Sequence, residues 1–155
     1  MKLKNLILAL SLILTFSACE KNNEVTTTIS VDDIVGTYNG EIFFTVNGAV
    51  ISATDPAVSY TVSKISDTEV NIVFPALVPD NFPTIVSMSD DCTLVYDATS
   101  NSFKGSDSFT GTSGVYSISV EYSCTIFKEG MMMSADYSLG DVMPYPIQTY
   151  CESVR

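Results

Sequence analysis

The sequence predicts an all-β chain, an antiparallel up-and-down barrel of eight strands, and three observations predict it. Composition comes first: no His, no Trp, only 16% charged residues, and many Ser, Thr, Val and Tyr. Branched and aromatic side chains suit a pleated, half-buried surface. Second, apolar and polar residues alternate with period two from Gly36 onward, which places one face of each strand in a core and the other in water. Third, turn signals separate about eight such runs, with no amphipathic helix between them. A β-sandwich is the alternative arrangement. At 155 residues the chain has the length of one ordinary domain.

The chain opens with Lys2 and Lys4 and an apolar run of eleven residues, Leu6 to Phe16. Spanning a bilayer takes about 20 apolar residues, so this run suits a cleaved export signal instead. Ser17, Ala18 and Cys19 follow. Phe16-Ser17-Ala18-Cys19 resembles the lipobox of bacterial lipoproteins, which implies removal of residues 1–18 and lipidation of Cys19. Two or three acyl chains, at about 0.8 kcal/mol per buried methylene, hold a protein stably on a membrane. Residues 19–33 then read as the lipidated cysteine and a polar tether, and 34–155 as the barrel domain. The expected location is the outer membrane of a Gram-negative bacterium, on its periplasmic face or at the cell surface.

The strands follow in order. Thr37 to Val46 ends at the hairpin pair Asn47-Gly48. Val58, Tyr60 and Val62 alternate with Ser59, Thr61 and Ser63, and Ser66-Asp67 turns the chain into Val70 to Phe74. Thr84 to Ser89 and Thr93 to Tyr96 read as one bent strand with a bulge at Asp90-Asp91. Ser102 to Thr110 precedes the clearest run, Val115 to Lys128, in which Tyr116, Ile118, Val120, Tyr122, Cys124 and Ile126 share one face. Its length suits a tilted barrel strand better than a sandwich strand of ~5–6 residues. Met131 to Leu139 and Pro146 to Glu152 close the set.

Three stretches carry a further resemblance. "GTYNG" at 36–40, entered from Asp32-Asp33-Ile34, resembles the opening Gly-x-Trp element of lipocalins and other calycins, with Tyr38 where those have Trp. Together with "YTVSKISDTEVNIVFPAL" and "MMMSADYSLGDVMPYPI", it makes the chain similar to the calycin-like domain of Bacteroidetes lipoproteins. The resemblance implies a lipocalin-like barrel and supplies no catalytic residue.

Chemistry is narrowed by exclusion. The net charge is −11, and all 18 acidic residues lie after the leader while two of the seven basic ones lie within it, so the rest of the chain is still more negative and repels nucleic acid. The lack of histidine removes imidazole-based triads, dyads and metal sites. Asp32-Asp33 and Asp90-Asp91 read as solvated turn acids and not as a converging acid–base pair. Met131-Met132-Met133 reads as core filling, since only Met131 and Met133 share a strand face. No enzyme, cofactor or metal is expected. With Cys19 lipidated, Cys92, Cys124 and Cys151 allow three disulfide pairings, of which Cys92 with Cys151 is preferred.

The proline-rich stretch Phe74 to Ile85 is unusually apolar for a connection. It reads either as a lid presenting Leu77 and Phe82 at a barrel mouth or as a plug over the core. Two functions follow: a monomeric barrel holding a small apolar ligand against Tyr116, Tyr122, Leu77 and Phe82, or a filled barrel that engages another envelope protein.

Overall fold

A computed structural model describes residues 28–51, 57–79 and 81–155. Cys19, the leader and the first part of the tether lie outside the described residues. Among the described residues ten strands make up the sheet: β1 Gly36–Val46, β2 Ala49–Ile51, β3 Ala57–Lys64, β4 Glu69–Phe74, β5 Met88–Thr93, β6 Val95–Asp97, β7 Ser102–Ser113, β8 Tyr116–Ile126, β9 Gly130–Ser138 and β10 Ile147–Val154. Short 3₁₀ turns at Val31–Asp33 and Gly140–Val142 are the helical elements among the described residues.

The hydrogen-bonded order is β5-β4-β3-β1-β10-β9-β8-β7-β6, antiparallel throughout, with β2 folded back on β1. Asn47 and Gly48, both at positive φ (51° and 74°), make that hairpin turn. Leu94 alone separates β5 from β6, so residues 88–97 form one bent strand. Its first part pairs with β4 and its last three residues with β7, which curls the sheet into a nearly closed barrel. The break at Leu94 also makes nine segments along the path where eight strands were expected. The expected bulge at Asp90-Asp91 is corrected: the pair lies inside the β4–β5 ladder. Asp90 accepts the Tyr122 hydroxyl at 2.9 Å, and Asp91 accepts the Asn71 amide at 2.7 Å. The two aspartates thus occupy opposite faces of a regular strand.

Along the seam between β5 and β7, side chains close the wall, and no backbone ladder joins the two strands among the described residues. Cys92 Sγ lies only 2.5 Å from where a Cβ on Gly105 would stand, and Met88 Sδ covers Gly111. Glycine is needed at these two places because β5 lays its side chains directly on the β7 backbone.

Inward side chains from all the long strands merge into one core, in which Tyr38, Tyr60, Tyr137, Phe44 and Phe74 are fully buried. The expected tether ends earlier than residue 33. Ile29 and Val31 are buried in that core, and Asp33 accepts hydrogen bonds from the Ser30 backbone and hydroxyl (2.9 and 2.8 Å). Burying Ile29 and Val31, at ~1.5–3 kcal/mol each, offsets an ordering cost of about 1–2 kcal/mol per residue along this segment. This segment covers one end of the barrel. Tyr38 donates to the Ile34 carbonyl at 2.6 Å, and the Arg155 guanidinium reaches the Asp33 carbonyl at 2.5 Å.

Candidate functional site

Sequence reasoning looked for a pocket inside the barrel. The structure places Tyr116 and Tyr122 on the inner face of β8, as alternation requires, and uses them differently. Tyr122 is buried, its ring set against Phe74 and Phe109 with centroids at 4.9 and 6.1 Å. Burial, reinforced by Cys92 and Asp90, holds its hydroxyl protonated far above the usual phenol range. Tyr116 is half-buried near the barrel end.

Leu77 exchanges two backbone hydrogen bonds with Ile85 (2.8 and 2.9 Å), and both side chains are sealed from solvent. Phe82 packs half-buried against the same core, and Ser113 anchors the loop by donating to the Thr84 carbonyl at 2.7 Å. The Phe74 to Ile85 stretch is therefore a plug. Among the described residues, Tyr122 and Leu77 are buried in the core and Phe82 packs partly buried against it.

The other candidates separate as well. Asp32 and Asp67 each meet Lys64 at 2.8 Å, and Asp33 caps its own turn, so these carboxylates do not converge on a pocket. Met131 and Met133 are buried while Met132 faces outward. Among the described residues no cluster of three or more His, Cys, Asp or Glu is placed to hold a metal ion. All three described cysteines are free and buried. Cys92 lies beside Cys124 and not beside Cys151, which sits in the core near Tyr60. Hydrogen bonding from Cys124 brings the Cys92 thiol down to about 7, while burial pushes Cys151 up to about 11.

A large concavity is present on the opposite face of the wall. A groove of about 990 Å³ runs over the outer surface of β6 to β10. Register builds it: Ser106, Ser123, Ser134 and Tyr150 stand opposite one another across β7, β8, β9 and β10, and Lys104, Thr125 and Met132 form the adjacent row. Thr93 and Val95 to Ala98, on the bent strand and its turn, line it too, with Gly105 and Cys124 at its border. Seven lining side chains thus carry hydroxyls, while Val95, Met132 and the Tyr150 ring supply apolar surface. Its two charged residues neutralise each other, Lys104 Nζ lying 2.7 Å from Asp97 Oδ2. That contact, with hydrogen bonds from Thr99 and Ser100, holds the Asp97 carboxyl below its ordinary range. The Tyr150 hydroxyl donates to Glu152 at 2.6 Å, which fixes the ring on the groove floor and raises its pKa.

Sequence reasoning missed this site for a physical reason. Outward Ser and Thr are what any wet strand face carries, and only the register of five strands gathers these into one place.

No protein-family model and no curated protein matches the chain. Among solved structures, a "putative outer membrane protein" of Bacteroides fragilis superposes with a TM-score of 0.60 at 18% identity, over 81% of this chain and 52% of that one. This chain therefore spans about half the length of that protein, and at such identity the likeness is one of fold.

Proposed function

We propose that this chain is a non-enzymatic binding module of the bacterial envelope, held to a membrane by lipid on Cys19, that takes a neutral polyhydroxylated ligand in its outer groove. The observation that carries this is the groove's lining. Hydroxyls both donate and accept, as the hydroxyls of a sugar do, and the exposed Tyr150 and Met132 offer apolar surface for the C–H face of a ring. The lining's charges are paired with each other, so no net charge there selects an ionic ligand. The barrel interior, packed with Tyr122, Phe74, Phe109 and the Leu77 plug, favours the outer face over an apolar ligand inside.

Envelope placement is supported by the lipobox-like Phe16 to Cys19 and by the name of the structural neighbour. The 3₁₀ turn before Gly36 and the burial of Tyr38 at the covered barrel end agree with a calycin-like opening.

The test is calorimetric titration with neutral gluco-, manno- and xylo-hexasaccharides, with an acidic oligosaccharide as control. At least one neutral probe is expected to bind, and Tyr150→Ala to weaken it at least tenfold, about 1.4 kcal/mol. Ser123→Trp, which fills the groove from an outward position, is expected to abolish binding with the melting curve unchanged. Binding that survives both substitutions, or a panel that gives no heat, counts against the proposal.

A further inference from the structure

We infer that Cys92 and Cys124 become joined by a disulfide in the exported protein, tying β5 to β8 across the β5–β7 seam. The placement is geometric and does not rest on the proposed ligand, although Gly105 and Cys124 also border the groove. Gly105 stands directly opposite Cys124 in the β7–β8 ladder, and residues so opposed have Cβ positions about 4.5–5.5 Å apart. Cys92 Sγ takes up nearly the space a Gly105 side chain would fill, within 2.5 Å of its Cβ position. The Cys92 sulfur is therefore held where a cross-strand neighbour of Cys124 would be, on the same inner face. The bond would form where no backbone ladder joins β5 to β7.

Cys151 is the thiol left over. It pairs in register with Met133 and Ile42, two strands from Cys124, and burial keeps it protonated.

The oxidant is a disulfide, either that of an exported thiol oxidase or oxidised glutathione. Cys92 thiolate attacks one of its sulfurs, forming a mixed disulfide and releasing one thiolate. Cys124, as thiolate, then attacks the Cys92 sulfur, closing the bond and releasing the second. The protein loses two electrons and two protons, and the oxidant leaves as two thiols. Both cysteines are buried, so the exchange belongs to folding, before Cys92 and Leu94 seat on Gly105.

Trypsin reads the outcome directly. Cleavage after Lys64, Lys104 and Lys128 puts Cys92, Cys124 and Cys151 on three separate peptides, 65–104, 105–128 and 129–155. Full-length protein is purified from membranes without reductant, denatured in the presence of a maleimide, digested and weighed. The expected result is peptide 65–104 linked to 105–128, two hydrogens lighter than their sum, with alkylation confined to 129–155. Cys124→Ser is expected to return 65–104 as an alkylated free peptide. Three alkylated peptides from wild-type protein, or a link that includes 129–155, would overturn the assignment.

Discussion

Gly105→Ala tests the seam. The glycine's φ is not in the left-handed region, so backbone geometry admits alanine. In an open strand the change would stabilise by roughly 0.5–1 kcal/mol through the unfolded chain. Here the new methyl meets Cys92 Sγ at 2.5 Å, Leu94 Cδ2 at 2.9 Å and the Thr93 carbonyl at 3.2 Å. Ordinary contact lies near 3.5–4.0 Å, so the sulfur must retreat by about 1 Å, and the Thr93 carbonyl crowds the same methyl. Overpacking of this kind costs about 1–3 kcal/mol net.

Urea unfolding reads that loss by tyrosine fluorescence, undisturbed because the chain has no tryptophan, with reductant present to keep the thiols free. Cys92→Ala removes the obstacle. In the double variant the cost of Gly105→Ala should fall by about 1 kcal/mol or more, a coupling between touching sites. Additive effects within ~0.5 kcal/mol, or a Gly105→Ala protein as stable as wild type, would refute side-chain closure of the seam.

Three further outcomes are expected. The Tyr60 hydroxyl is buried without a hydrogen-bond partner among the described residues, so Tyr60→Phe should stabilise by about 1 kcal/mol in urea melts; a loss of that size would mean the hydroxyl is satisfied. Burial raises the Tyr38 phenol to about 12 and pushes Tyr60 and Tyr137 upward too. Groups raised in the folded state stabilise it fully below their unfolded pKa of about 10, and that contribution is lost as pH climbs from 10 towards 12. Tyrosinate absorbance from these residues should accordingly appear together with loss of the β-sheet circular dichroism signal; tyrosinate formed at pH 10 by all tyrosines of an intact barrel contradicts it. Finally, cells fed labelled palmitate should label wild-type protein and not Cys19→Ser, and an unlabelled wild type removes the membrane anchor.

Much of the wall was legible in the sequence because period-two alternation is a local property. The inward set on β8, Tyr116 through Ile126, follows from alternation alone and is the set the structure buries or half-buries. What escaped depends on distant partners. Asp90-Asp91 reads as a turn until the Tyr122 hydroxyl and the Asn71 amide are known to satisfy it inside a strand. The bend falls instead at Leu94, where the chain exchanges its neighbour β4 for β7. Leu77 reads equally as lid or plug until its pairing with Ile85 is seen. The outer groove is the extreme case, because Ser106, Ser123, Ser134 and Tyr150 are adjacent only through ladder register.

Amide chemical-shift mapping distinguishes recognition on the outer face from binding inside the barrel. Isotope-labelled protein is titrated with each neutral hexasaccharide. A binding probe should shift Ser106, Ser123, Ser134 and Tyr150 and leave the plug at Leu77 and Ile85 unmoved. Shifts centred on Leu77, Phe82 and Tyr116, or none with any probe, would contradict recognition on the outer face.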